Sequence, residues 1–215
     1  MYGRTWIPGL ALLALMTAGC STVYYSVWET LGKEKRDLLR DNVESVREDQ
    51  EDVSEQFEST LERIRAIYGL EGGELEEKYD RLKKDYDRSV ERADELRDRI
   101  DTVKDIAGDL FAEWDREIGE ISDANLQQRS RTQLRDTRGR YDELEKALRK
   151  TEAGMEPVLR KFNDQVLFLK HNLNAQAIGS LETEVRDIQR DVDDLLGDLR
   201  ASIQEADQFI QGLPS

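Results

Sequence analysis

Apolar residues recur along most of the chain at alternating spacings of three and four, the period of a helix that buries one stripe. From Lys33 to Tyr68, Val43, Phe57 and Ile64 share one register with the polar exceptions Arg36 and Gln50, while Leu39, Val46, Val53 and Ile67 share the other with Thr60. Leu61 and Tyr68 widen the stripe, so this helix wants more than one neighbour. Gly69-Leu70-Glu71-Gly72-Gly73 then predicts a reversal, and Glu74, Glu76 and Glu77 follow where a helix start favours negative charge. A second helix follows on Leu75, Tyr79, Leu82, Tyr86, Ala93, Leu96, Ile100, Val103, Ala107, Leu110, Trp114 and Ile121, with Ser89 and Glu117 as gaps. It should be roughly 70 Å long. Ser122-Asp123-Ala124-Asn125 offers the next caps and a second turn.

A third helix carries Leu134, Tyr141, Leu148, Met155, Phe162 and Leu169 in one register, and Thr137, Leu144, Thr151, Val158, Gln165 and Asn172 in the other. Pro157 removes a backbone donor and crowds the preceding turn, which predicts a kink or short break near Gly154 to Pro157. Gly179-Ser180 marks a further break, and a fourth helix runs on Leu181, Val185, Ile188, Val192, Leu195, Leu199 and Ala206 to near Phe209-Ile210. No strand pattern stands out. The expected fold is all-α: an elongated antiparallel bundle of three to four long helices with coiled-coil-like heptad packing.

One stretch departs from the one-stripe pattern. Between Phe162 and Leu181 only Asp164 and Lys170 are charged, in a chain that is 37% charged. Val166, Leu167, Phe168, Leu169, Leu173, Ala177 and Ile178 go most of the way round a helix, which predicts the innermost segment, covered on several sides. It is no membrane span, because Asp164, Lys170, His171, Asn172, Asn174 and Gln176 would lie in hydrocarbon. Phe162, Val166, Phe168, Leu169, His171, Asn172, Leu173 and Asn174 are therefore the candidates for a buried or partner-facing surface. The amides serve either as an internal network that fixes register or as part of a surface that docks a second copy or an envelope protein.

The amino terminus reads differently. Arg4, the apolar run Ile7 to Met16, and the small residues Thr17, Ala18 and Gly19 before Cys20 have the layout of an export signal. Thr17-Ala18-Gly19-Cys20 resembles the bacterial lipoprotein signal, in which the cysteine is acylated and becomes the first mature residue. That resemblance implies a lipid on Cys20, with Ser21 rather than aspartate after it pointing to the outer membrane, facing the periplasm. Cys20 is the one cysteine, so no intrachain disulfide can form. Tyr24, Tyr25 and Trp28 either seat in the headgroup layer or pack on the end of the bundle. The organisation that follows is a signal at 1–19, a lipid anchor and aromatic tether at 20–32, one helical domain at 33–211, and a tail at 212–215.

Loss of Arg4 with the signal moves the formal charge from −15 to −16. The 32 basic side chains are interleaved with 47 acidic ones, as on a solvated helical surface, and nucleic acid is not an expected partner. No glycine-rich loop followed by Lys-Ser or Lys-Thr is present to hold a nucleotide.

The runs CSTVYYSVWETLGKEKRDLL, LFAEW and EPVLRKFNDQVLFLKHNLNAQAI resemble a proteobacterial domain-of-unknown-function family of envelope proteins, often lipoproteins. The resemblance covers essentially the whole mature chain. It implies helical structure and an envelope location, and carries no assigned chemistry.

His171 is the single histidine. Leu167, Phe168, Asn174 and Ala175 occupy the positions three and four away, which excludes a local metal pair or His-carboxylate dyad. The expectation is a histidine hydrogen-bonded within the bundle, ahead of a pH-sensitive or catalytic role. Acidic runs such as Glu48-Asp49-Gln50-Glu51-Asp52 lack the turn glycine and ligand spacing of a calcium loop. No serine, cysteine or lysine has an activating neighbour. The chain is thus expected to be no enzyme and to need no cofactor or metal. It reads as a lipid-anchored periplasmic scaffold, spacer or interaction module, with a chaperone or carrier for an apolar ligand or client chain as the alternative.

Overall fold

A computed structural model describes residues 35–67, 75–172 and 182–213, and the described residues from Arg36 onward cluster as one compact unit. Four helices account for it: α1 (Lys35–Ile67), α2 (Leu75–Glu120), α3 (Ala124–His171) and α4 (Glu182–Gly212). At 46 and 48 residues, α2 and α3 each rise about 70 Å. Asp123 starts α3 by accepting from the backbone N–H groups of Asn125 and Leu126, as the sequence around that turn predicts.

Contacts between helices give the topology. Arg63 pairs with Asp85 at 2.8 Å and Arg99 with Asp49 at 2.9 Å, so α2 descends as α1 ascends. Arg97 meets Glu156 at 3.3 Å, and Arg138 donates to the Phe111 carbonyl at 3.0 Å, so α3 runs against α2. Lys161 reaches Asp191 at 2.6 Å and Lys150 reaches Asp198 at 2.6 Å, so α4 runs against α3. Gln50 donates to Ser202 at 2.7 Å and closes α4 onto α1. Across the diagonal, the rings of Phe57 on α1 and Phe162 on α3 lie 5.6 Å apart. This is an up-down-up-down four-helix bundle, in which every neighbouring pair is antiparallel.

The core is the heptad seam. Val43, Val53, Phe57 and Ile64 of α1, Leu96 and Val103 of α2, Leu144, Met155 and Phe162 of α3, and Val192 and Leu199 of α4 are all buried. Each such side chain stabilises by about 1.5–3 kcal/mol. The ion pairs on the outside, most of them half exposed, add little individually.

Two expectations need correction. Of the kink or short break expected near Pro157, the break does not form, since helix α3 runs unbroken through it: packing of Met155, Val158 and Leu159, all buried, outweighs a proline cost of about 3 kcal/mol. Ser89, a polar gap in the apolar stripe, is fully buried where a hydroxyl from α1 meets it. The stretch from Phe162 onward is one-sided: Phe162, Gln165, Val166 and Leu169 are buried, whereas Leu167 is 47% exposed and Lys170 and His171 face solvent. In a ring of four helices no member is innermost, so α3 keeps a solvent face whatever residues occupy it.

Candidate functional site

The described start of α1 lies where the Arg36 guanidinium stands 6.0 Å over the Trp114 ring. At the same end Arg140 donates to the Gly212 carbonyl at 2.7 Å, next to the close of α4. The α2–α3 hairpin continues past that level to its turn at Ile121–Asp123, held by a Trp114 Nε1 to Ser130 hydrogen bond of 3.0 Å. The opposite end carries the close of α1, the start of α2, the close of α3 and the start of α4.

Of the surface candidates, Phe162, Val166 and Leu169 are core residues and Phe168 is half-buried beside exposed Leu167. Asn172 ends α3, its side-chain amide donating to the Phe168 carbonyl at 3.0 Å. His171 is exposed and takes no hydrogen bond or ion pair among the described residues, which corrects the expectation of a bundle-bound imidazole. The last turn of α3 points it outward, away from every buried partner. Cys20, Tyr24, Tyr25, Trp28, Leu173 and Asn174 lie outside the described residues.

Some of the polar positions in the seam join α1 to its neighbours. Gln56 donates to the Thr60 hydroxyl at 3.2 Å, Thr60 and Ser89 share a 2.9 Å hydrogen bond, and Ser89 donates to the Asp85 carbonyl at 2.9 Å. Arg63 covers the Asp85 carboxylate. Together with the Gln50–Ser202 pair, this layer sets the register of α1 against α2 and α4, since a slide would bury unpartnered hydroxyls at about 1–3 kcal/mol each.

Two surfaces escaped the reading of the sequence. Helix α3 opens with Arg129, Arg131, Arg135, Arg138 and Arg140 against a single acid, Asp136, and Leu126 in its first turn is 54% exposed. Farther along, α2 and α3 enclose an open groove of about 580 Å³, lined by Asp105, Gly108, Asp109, Phe111, Tyr141 and Asp142 among others. The heptad pattern assigns Tyr141 to the core and says nothing of its hydroxyl edge. Burial in the first place, then the neighbouring Glu145 carboxylate, raises the Tyr141 hydroxyl pKa well above that of a free tyrosine.

Among the described residues no three His, Cys, Asp or Glu side chains are placed to hold a metal ion, and no helix is long and apolar enough to cross a membrane. A family model described as "Protein of unknown function (DUF2959)" matches residues 24–213. No curated protein and no solved structure matches the chain.

Proposed function

The chain belongs to this family of unknown function, and from that premise we propose a non-catalytic protein tethered through lipidated Cys20 to the periplasmic face of the outer membrane. Its bundle acts as a spacer that presents its far end to an envelope protein. The observation that carries the reading is the polarity of the bundle. The described part of α1 begins at the end marked by Arg36 and Trp114, while Leu167, one of two exposed large hydrophobics among the described residues, sits at the other. From the level of Arg140 to Leu167 along α3 is roughly 40 Å. A rigid four-helix body of that reach suits spacing, and its solvated acidic flanks suit solubility more than adhesion.

The carrier alternative would use a cleft beside Phe162. That ring is fully buried against Phe57, so such a cleft would require the diagonal of the core to open.

The test is in two parts. Mass spectrometry of the protein extracted from membranes should find a diacyl or triacyl mass at Cys20, and Cys20→Ser should release the chain from the membrane fraction. A photo-crosslinker at exposed Lys170, one turn from Leu167, should capture one defined envelope protein, and adding Leu167→Glu to that protein should abolish capture with unchanged melting. An unmodified Cys20, or capture unaffected by Leu167→Glu, overturns the proposal.

A further inference from the structure

We propose that α1 is a releasable strap: it undocks as a unit from a core made of α2, α3 and α4, and so opens the diagonal of the bundle. The backbone packing is uneven. Helix α3 approaches both α2 and α4 closely, whereas α1 keeps a wider spacing from each of its neighbours. Side chains span that wider gap, and many of them are polar: the Thr60–Ser89 and Gln50–Ser202 hydrogen bonds, the Gln56 amide on the Asp85 carbonyl at 3.1 Å, and the Arg63–Asp85, Arg99–Asp49 and Arg47–Asp207 ion pairs. Low local contact density marks the elements of a fold that open short of global unfolding. Val43, Val53, Phe57 and Ile64 are buried in the closed bundle, so the released form is the minor one.

The charge of the helices accounts for the difference. Helix α3 carries eleven Lys and Arg against seven Asp and Glu. It lies between two acidic helices, α2 with sixteen acidic and ten basic side chains and α4 with nine and three. Helix α1, with ten acidic and six basic side chains, lies between the same two. Net attraction therefore draws α3 to both neighbours, and net repulsion holds α1 off from both. The ion pairs that tie α1 down are mostly half exposed and individually weak.

The contact of α1 with α4 also strands polar atoms. Gln50 donates to Ser202, but its Oε1 finds no partner among the described residues, and neither does the Arg47 Nε, although Arg47 reaches Asp207 through Nη1 at 3.5 Å. Both atoms are buried and regain water when α1 leaves, which lowers the cost of release. Phe57 leaves with α1. The Phe162 ring, 5.6 Å from it in the closed bundle, then becomes the floor of an apolar groove on α3, walled by α2 and α4. That is the opening a carrier of an apolar ligand requires.

Native-state hydrogen exchange, read by mass spectrometry at increasing sub-denaturing urea, tests the strap. Amides in the middle of α1, from Val43 to Phe57, should exchange at least ~10-fold faster than those of α3 from Leu144 to Val158, through an opening that depends on urea less steeply than global unfolding does. Phe111→Leu loosens the contact of α2 with Tyr141 of α3, where the rings lie 5.5 Å apart; it should speed exchange in α3 and leave α1 unaltered. Glu55→Lys with Glu62→Lys, at exposed positions outside every ion pair among the described residues, relieves the repulsion and should slow α1 exchange severalfold. Equal rates and urea dependence in α1 and α3, or acceleration of both helices by Phe111→Leu, overturns the proposal. Fast exchange of α1 with no urea dependence is local fluctuation and overturns release as a unit, and α1 exchange unchanged in the double lysine variant overturns the electrostatic cause.

Discussion

The hydroxyls of Thr60 on α1 and Ser89 on α2 are 2.9 Å apart, in a layer where both residues are fully buried. Ser89 donates to the Asp85 carbonyl of its own helix at 2.9 Å, which leaves the Thr60 hydroxyl to donate across to Ser89, with the Gln56 carbonyl at 2.9 Å as its competing acceptor. The pair therefore joins two helices at a buried layer, beside the Arg63–Asp85 ion pair at 2.8 Å and the Gln56 amide that donates to the Asp85 carbonyl at 3.1 Å. In a double-mutant cycle, Thr60→Val and Ser89→Ala should each destabilise by about 1 kcal/mol, with a coupling energy of about 1 kcal/mol between them. Urea unfolding of the four proteins measures it, and additivity would mean that the contact does not set register.

The sidedness of the Phe162 stretch predicts a sharp contrast over five residues. Phe162→Ala removes a fully buried ring and its 5.6 Å contact with Phe57, and should cost about 3–5 kcal/mol. Leu167→Ala, at a position 47% exposed, should stay within about 0.5 kcal/mol. Equal losses at the two sites would restore the picture of a helix covered all round.

That contrast also marks how far the sequence could be read. The two heptad registers named the buried residues of α1 and α3 almost one for one, because burial in a bundle follows the 3.6-residue period and little else. Low charge misled where period did not: Leu167 and His171 sit in an uncharged stretch, but the angle around α3 turns them outward. The break expected at Pro157 does not form for the same reason, since local backbone cost takes no account of the two helices that clamp α3. The groove at Tyr141 was invisible because heptads describe seams, whereas a groove is made by what flanks a seam: here a glycine and unpaired carboxylates from two helices.

Thr151 is fully buried, and its hydroxyl has no partner among the described residues. Valine keeps the shape and removes the stranded polar group. Thr151→Val should therefore stabilise by about 1 kcal/mol, read as a rise in melting temperature of roughly 2–4 °C for a chain of this size. A loss of stability would show that the hydroxyl is satisfied in solution.

Pro157 lies inside an unbroken helix, where it forfeits one hydrogen bond and crowds the preceding turn. Pro157→Ala should stabilise by about 2 kcal/mol, the helix gain of about 3 kcal/mol less the 0.4–1 kcal/mol that proline contributes by restricting the unfolded chain. Chemical denaturation with an unchanged m-value would check it. A neutral result would mean that α3 is already relaxed at this turn.

Tyr141 predicts how stability falls in alkali. Burial, reinforced by the Glu145 carboxylate, raises its folded pKa, while in the unfolded chain the phenol ionises near the ordinary value of about 10. Below that pH both states keep the proton and the contribution to stability is intact. Above it the unfolded state releases a proton that the folded state retains, so stability declines as pH rises toward the folded pKa. Absorbance titration of tyrosinate should show one phenol that resists ionisation until the bundle unfolds. Tyr141→Phe should remove that lag and flatten the alkaline slope in denaturation experiments from about pH 10 upward. If the lag persists in Tyr141→Phe, the resistant phenol belongs to another tyrosine, and the hydroxyl at Tyr141 faces solvent freely enough to ionise in place.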